Sequence, residues 1–273
     1  MFSIIIPTLL KDTEVLNKLL SQLNEDSTVG EIILIDNSCS SFKTVFSKVK
    51  VHVPKENLFV NPAWNLGIKL SSLEFKYFGI LNDDIIFQKN LFEQVHAFLE
   101  SSSDEVGLLG IDCVANTPKA QFDTYPDNRK VEIVETSKLE GFFGSAFFGN
   151  KKNYFEIPDE MKVFYGDHFL FTRNVQAGHK NYKISNIGVK HLESLSSHSS
   201  PFIAKMFKKD RKICIKYNGV EHQHLSLLQR IFSITTYHNH YVFCFLGLKM
   251  KVKKNTVLCH VSNKERNNEF HKF

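Results

Sequence analysis

Apolar and polar positions alternate along the first 115 residues in two periods that take turns. "FSIIIPT" (2–8) and "EIILIDNS" (31–38) are short β-branched runs that end in polar or turn residues, and between them "TEVLNKLLSQLNE" repeats Val15, Leu16, Leu19, Leu20 and Leu23 at helical spacing. The opening therefore predicts strand, helix, strand, the βαβ unit of a parallel sheet with a right-handed crossover. "KVHVP" (50–54) reads as another strand, and "NPAWNLGIKLSS" (61–72) as a helix with Pro62 in its first turn and Asn61 as its cap. "FKYFGIL" (75–81), "NLFEQVHAFLESS" (90–102) and "VGLLGIDCV" (106–114) continue the series as strand, helix and strand. Alternation of this kind predicts an α/β fold with a doubly wound, mostly parallel sheet flanked by helices, and ligands in such sheets sit beyond the carboxyl ends of the strands.

After residue 115 the pattern loosens. "NTPKAQFDTYPDNRK" (116–130) has loop chemistry, "VEIVET" (131–136) reads as a short strand, and "LEGFFGSAFFGNKKNYFEI" (139–157) is aromatic and glycine-containing. "FYGDHFLFTRNVQAGHK" (164–180) reads as a turn entering a helix that stops at Gly178, and "NIGVKHLES" (186–194) as a final strand. No internal repeat is visible.

One interruption raises a chemical question. The apolar run ending at Leu81 is broken by Asn82, Asp83 and Asp84 and resumes at Ile85, Ile86 and Phe87. Adjacent carboxylates repel each other and lose hydration when enclosed, so they need a positive partner. Mg²⁺ and Mn²⁺ take one or two protein carboxylates and complete their shell with phosphate oxygens and water, which fits a divalent metal carrying a nucleotide diphosphate. The other reading is a pair of carboxylates capping the next turn. Asp36 likewise ends a strand, and "DNS" is also the signature of an Asx-turn.

Charge changes the picture of the C-terminus. The 273 residues carry a formal net charge of +5, but residues 205–273 hold 14 Lys and Arg against 4 Asp and Glu, while residues 1–204 hold 20 against 25. The reading is one α/β domain over 1–204 and a separate basic segment over 205–273. Three uses of that segment stay open: an anionic membrane face, nucleic acid, or a packing and dimerisation subdomain. The five cysteines are scattered without a C-x-x-C pair, which argues against a disulfide framework and a structural zinc site. The opening "MFSIIIPT" has no basic leader and its apolar run stops at Pro7, so it reads as a strand rather than a signal peptide, and the expected location is cytoplasmic.

Taken in order, "FSIIIPT", "EIILIDNS", "NPAWNLGI", "LNDDIIF", "YGDHFLF" and "VKHLESLSS" resemble the nucleotide-sugar-dependent glycosyltransferases of family 2, with the Rossmann-like GT-A fold, over residues 2–197. The resemblance implies that Pro7 and Thr8 line a nucleotide pocket, that Asp36 hydrogen-bonds the base of a UDP-sugar donor, that Asp83 approaches the ribose or metal, and that Asp84 binds Mn²⁺ or Mg²⁺ directly. His191, in "VKHLESLSS", would join the metal or diphosphate. Asn57, Asn61 and Asn65 offer amides to the nucleotide sugar. The family's acidic pair at the start of a late helix is replaced here by Gly166, Asp167 and His168, which leaves two candidates for the base that activates the acceptor, Asp167 and His168. "GFFGSAFFG" (141–149) is the expected acceptor side, with Gly141 allowing close approach and Phe142 or Phe143 stacking on a sugar; Phe147, Phe148 and Trp64 read as core.

The implied activity is inverting, metal-dependent transfer of a hexose or N-acetylhexosamine to a glycan or glycolipid acceptor of a bacterial lipopolysaccharide, lipooligosaccharide or capsule. The basic, aromatic C-terminal segment would then hold the enzyme on the inner face of the inner membrane, with no nucleic acid as partner. Two rivals are a sugar-1-phosphate nucleotidyltransferase, whose glycine-rich basic phosphate loop "IPTLLKDTE" lacks, and a noncatalytic glycan-assembly or nucleic-acid-binding protein that uses the tail.

Overall fold

The structure is a computed structural model that describes residues 1–112, 117–139, 143–192, 201–218, 232–236, 240–245 and 248–253. It divides into two compact units, Met1–Val220 and Glu221–Phe273.

In the first unit the chain runs β1 (Phe2–Thr8), α1 (Thr13–Glu25), β2 (Val29–Asp36), β3 (Val49–His52), α2 (Val60–Leu70), β4 (Tyr77–Leu81), β5 (Ile85–Phe87), α3 (Leu91–Ser101) and β6 (Val106–Ile111). It continues through β7 (Glu132–Glu135), β8 (Ala146–Asn150), α4 (Gly166–Gln176), β9 (Lys180–Ser185), β10 (Val189–His191) and α5 (Pro201–Asn218). Eight strands form one sheet in the order β3-β2-β1-β4-β8-β6-β9-β7, and β5 pairs with β10 in a separate ribbon. The first four strands of that order are mutually parallel, as the alternating pattern predicts. β8 then runs antiparallel between β4 and β6, so the sheet is mixed.

Strand alternation divides the core into two layers. Phe2, Ile4 and Ile6 of β1 and Ile32 and Leu34 of β2 meet Val15, Leu16, Leu19, Leu20 and Leu23 of α1 and Phe92 of α3 on one face. Ile5, Ile33 and Ile35 point the other way, against Ala63 and Trp64 of α2 and Phe169, Leu170 and Phe171 of α4. Each fully buried aliphatic side chain contributes about 1.5–3 kcal/mol, so the α1 stripe alone fixes that helix to the sheet. Asp12 starts α1 by accepting a hydrogen bond from the Val15 N–H at 3.2 Å. α2 sits unusually close to β1: a Cβ on Gly67 would lie 2.3 Å from Ile5 Cγ2, so any larger residue there would force the helix outward.

Two boundaries differ from the sequence reading. Asn61 does not cap α2; the helix begins after Phe59, and the Val60 and Asn61 N–H groups both donate to the Lys162 carbonyl at 2.9 Å. The first unit also extends past residue 204 to Val220, because α5 turns Met206, Asp210, Cys214 and Asn218 inward at helical spacing. The composition change at 205 marks the exposed face of α5 rather than the end of the domain. Beyond it, the second unit contains an antiparallel meander of β11 (Phe232–Thr236), β12 (His240–Phe245) and β13 (Leu248–Lys253). Among the described residues no helix is long and apolar enough to cross a membrane.

The amino-terminal end of β1 and β2 is held by a polar network. Lys151 Nζ donates to Ser3 Oγ at 2.8 Å and to the Ser72 carbonyl at 2.7 Å. Ser3 Oγ in turn donates to Glu31 at 2.5 Å, and Lys50 Nζ donates to the same carboxylate at 2.7 Å. Burial pushes the Lys151 ammonium down to about 8, against the attraction of Glu31. Between that value and the ordinary lysine range near 10.4 the unfolded chain binds more protons than the folded one, so this residue makes stability rise with pH. Chemical denaturation at pH 7.5 and 9.5 should show a gain on the order of 1 kcal/mol that Lys151→Met lacks. Equal slopes for the two proteins would refute the assignment.

Candidate functional site

The carboxyl ends of β1, β2 and β4 lie side by side, with Thr8 paired to Asp36 in register. Asp36 is fully buried. Its Oδ1 accepts from the Ser38 N–H at 3.0 Å and the Ser38 hydroxyl at 2.5 Å, and its Oδ2 accepts from the Phe42 N–H at 3.0 Å. Burial pushes this carboxyl up, but those hydrogen bonds outweigh it and hold the group below its ordinary value. Of the two readings of "DNS", the structure displays the turn: Asp36 shapes the 38–42 loop over the strand ends. Asn37, which the sequence did not mark, ties that loop to the next one. Its Nδ2 donates to the Phe59 carbonyl at 3.0 Å and its Oδ1 accepts from the Leu58 N–H at 3.1 Å.

Asp83 and Asp84 follow the end of β4. The Asn82 N–H donates to the Ser145 carbonyl at 2.9 Å, which ends the strand beside the turn that leads into β8. Thr8 Oγ1 donates to Asp83 Oδ2 at 2.6 Å and accepts from the Leu10 N–H at 2.9 Å. Burial raises the Asp83 carboxyl to about 6, and the charge of Asp84 adds to the rise while the Thr8 bond opposes it. The β5–β10 ribbon sets His191 opposite Ile85, and the Leu192 N–H donates to the Asp84 carbonyl at 2.9 Å. His191 Nε2 thereby lies 3.1 Å from Asp84 Oδ1 and 3.4 Å from Asn82 Nδ2. The structure thus brings Thr8, Asp83, Asp84 and His191 together beyond the end of β4.

This donor set fits a divalent metal. A carboxylate oxygen and an imidazole nitrogen lie 3.1 Å apart, and the Asp83 carboxylate beside them is destabilised by confinement and by Asp84. Among the described residues no three His, Cys, Asp or Glu side chains form a cage of their own. An ion here would hold Asp84 and His191 and draw its remaining ligands from a diphosphate and water, the usual habit of Mg²⁺ and Mn²⁺.

A second group of residues stands at the amino terminus of α4. Tyr165 precedes the helix at φ 63°, a left-handed conformation disfavoured for a bulky residue. Gly166 follows because a Cβ there would lie 2.2 Å from Asn61 Oδ1 and 2.7 Å from Trp64 Cζ3. Asp167 Oδ1 accepts from the His168 N–H at 2.9 Å and faces His168 Nδ1 at 3.1 Å. Burial pushes Asp167 up, but the hydrogen bonds and charge of His168 outweigh it, so the carboxyl stays below its ordinary value and is ionised at neutral pH. Its other oxygen lies 2.8 Å from where a Cβ on Gly144 would be. Gly144 neighbours Ser145, which holds Asn82, so the turn at 143–145 connects the Asp167 pair to the Asp83–Asp84 pair.

The segment leading to Asp167 is clamped from both sides, and this corrects two expected ligand residues. Asn65 is buried, donates to the Ile157 carbonyl at 2.7 Å, and accepts from the Ile157 N–H at 3.0 Å and the Tyr154 hydroxyl at 2.8 Å. Asn61 is fully buried and donates to the Phe164 carbonyl at 3.0 Å. The Asn65 amide is committed at both ends to the 154–164 segment; Asn61 gives its Nδ2 to that segment, while its buried Oδ1 accepts no hydrogen bond among the described residues. From the opposite side, Asp210 of α5 accepts at Oδ2 from the Val163 and Phe164 N–H groups at 2.8 and 3.0 Å. Asp210 went unnoticed in the sequence because it sits inside the basic run "KKDRK". The available signal was its i−4 and i+4 spacing from Met206 and Cys214. Asp210→Ala would leave two backbone donors buried without acceptors and should cost about 2–3 kcal/mol, measured by denaturant unfolding; a loss below 0.5 kcal/mol (~a fifth of that) would contradict the clamp.

The acceptor-side expectation is also corrected in part. Phe143 is buried, stacks on Phe147 at 6.4 Å and meets Phe171 edge-on at 5.7 Å, so it belongs to the core and offers no face to a sugar. Gly141 and Phe142 lie outside the described residues. Pro7 is half-buried in β1, and Trp64, Phe147 and Phe148 are core as expected. Asn57 is exposed and caps its own loop by accepting from the Phe59 N–H at 2.7 Å.

No protein-family model matches the chain, and no curated protein sequence matches it significantly. Solved structures do match. The crystal structure of GalNAc-T7 with UDP, GalNAc and Mn²⁺ aligns with 81% of this chain and 48% of its own, at a TM-score of 0.61 and 12% sequence identity. The crystal structure of the catalytic domain of Drosophila beta1,4galactosyltransferase 7 in complex with xylobiose aligns with 94% of this chain and 96% of its own, at a TM-score of 0.47 and 12% identity. The chain spans about half the length of the first of these structures. That first likeness shows the fold, a GT-A architecture with a large central sheet flanked by helices.

Proposed function

We propose that this chain is a metal-dependent, inverting glycosyltransferase that moves a hexose or N-acetylhexosamine from a UDP-sugar to a hydroxyl of a bacterial surface glycan or glycolipid. The observation that carries the reading is the Asp84–His191 contact of 3.1 Å, with Asp83 and Thr8 beside it, beyond the carboxyl ends of parallel strands in a GT-A fold. A structural neighbour solved with UDP and Mn²⁺ supports it.

In this reading Pro7 and Thr8 line the nucleotide pocket, Asp36 and Asn37 hold the loops around the base, and Asp84 and His191 hold Mn²⁺ or Mg²⁺. When bound, such an ion offsets the charge that develops on the diphosphate leaving group. Asp167 takes the proton of the acceptor hydroxyl, and His168 orients that carboxylate. The acceptor oxygen forms its bond to the anomeric carbon as the bond to the diphosphate oxygen breaks, and a single displacement inverts the centre. The exposed face of α5 carries Lys205, Lys208, Lys209, Arg211, Lys212 and Lys216, opposite its buried Met206, Asp210 and Cys214. Such a face suits the anionic inner surface of a membrane on which lipid-linked acceptors are built.

Calorimetric titration with UDP, GDP and CDP, with and without Mn²⁺, tests the reading. UDP should bind in preference to the others and only with the metal. A protein that binds none of the three under either condition is not a nucleotide-sugar enzyme.

A further inference from the structure

Beside Asp167 the first unit carries a group of aromatic rings that the reaction as described does not use. Phe202 and Phe207 of α5 are 55% and 44% exposed, and each lies against another aromatic ring. Phe202 stacks on Phe59 with ring centroids 6.3 Å apart. Phe207 meets Phe164 and Tyr165 at 5.2 Å each, and Tyr165 meets His168 at 5.0 Å. The rings form two groups on α5, one with Phe59 of the loop before α2 and one with Phe164 and Tyr165 beside the first turn of α4.

Backbone conformation singles out the same place. Phe59 and Tyr165 have φ values of 67° and 63°, in the region that favours glycine, and both are bulky aromatics. Asn37 holds Phe59, while Asp210 and Asn61 hold the residues just before Tyr165. Two strained aromatic positions, each fixed by buried side chains and each met by an exposed ring of α5, mark a built surface rather than a leftover one.

We infer that this shelf is the acceptor subsite, on which the pyranose ring of the acceptor saccharide stacks with a hydroxyl directed at Asp167. The inference rests on the glycosyltransferase reading and names the side of the site that reading left empty. A pyranose has one face of C–H groups, which matches the electron-rich face of an aromatic ring, and hydroxyls around its rim. The shelf ends at the proposed base: Tyr165 is two residues from Asp167, and its ring rests against His168, which contacts the Asp167 carboxylate. A saccharide seated there is the one occupant that brings a reacting hydroxyl to that carboxylate.

The test is saturation-transfer difference NMR on the full chain with UDP and Mn²⁺, using methyl glycosides of glucose, galactose, mannose, N-acetylglucosamine and N-acetylgalactosamine as probes. Phe202→Ala and Phe207→Ala remove exposed rings and should leave UDP affinity within about twofold of the parent, which also checks folding. At least one glycoside should give signals in the parent and bind about tenfold more weakly in Phe207→Ala. Equal glycoside binding in the parent and in both variants would overturn the shelf, as would a parent that binds UDP with Mn²⁺ but none of the glycosides. Loss of self-association or of binding to anionic phosphatidylglycerol vesicles, with glycoside binding unchanged, would overturn it too and assign the rings to a second copy or a membrane. Glycoside binding that depends on Phe207 in a protein that binds no UDP would keep the shelf and remove the transferase reading.

Discussion

Asp84→Ala is expected to weaken Mn²⁺-dependent UDP binding by about 100-fold or more. Second-layer contacts to a metal are worth about 10–100-fold each, and the variant loses a direct donor. His191, whose Nε2 lies 3.1 Å from that carboxylate, would remain as the other proposed ligand. The loss should be local. The Leu192 N–H bonds the Asp84 carbonyl, not its side chain, so the β5–β10 ribbon keeps its register in the variant. Stability gives an independent check. Asp83 is raised to about 6 by burial and then by the charge of Asp84, so removing that charge relieves the folded state at neutral pH. Without metal that relief is opposed by the loss of the 3.1 Å contact to His191, so the metal response is the cleaner readout: Mn²⁺ with UDP should raise the melting temperature of the parent alone. A variant that still gains thermal stability from Mn²⁺ and UDP would remove Asp84 from the metal site.

Asp167→Asn is expected to lower the transfer rate by about 100- to 10,000-fold while leaving UDP affinity intact. Asparagine keeps an acceptor for the His168 N–H, so the first turn of α4 should hold and the lost property is basicity. The pH profile separates the two candidate bases. Asp167 is held below its ordinary carboxyl value, so a rate that depends on it stays level through neutral pH and falls only in acid. If His168 were the base instead, His168→Gln would cost as much as Asp167→Asn. The expected outcome is the acid limb, with His168→Gln losing about tenfold or less.

The sequence made the parallel half of the sheet legible because local pattern and tertiary burial agree there. β1, β2, β4 and α1 alternate or repeat as their packing requires, and the predicted ends fall within two residues of the observed ones. "SAFFGN" escaped assignment as β8 because a continuous apolar run with glycine on either side has no period to read. The proximity of Thr8, Asp83, Asp84 and His191 was legible from residue type and strand position. It was illegible where a polar side chain serves the backbone. Asn61, Asn65 and Asp210 look the same in sequence as ligand-binding residues, and only the distant segment 154–164 reveals what they hold. Phe143 is covered and Phe207 is not for the same reason, since nothing local tells an aromatic whether a neighbour will cover it.

The antiparallel insertion of β8 has a consequence for how the chain is made. β4 is complete at Leu81, but its partner on that side begins at Ala146, 65 positions later. At about 5–20 residues per second, a ribosome exposes the unpaired edge of β4 for on the order of 3–13 s before β8 can zip onto it. Tyr77, Phe78, Ile80 and Leu81 are almost wholly buried in the finished sheet, so the nascent chain presents a sticky, hydrogen-bond-hungry edge throughout that interval. Synthesis that stalls between residues 81 and 150 should leave a nascent chain that needs chaperone cover, and truncations ending in that span should aggregate where the complete first unit does not.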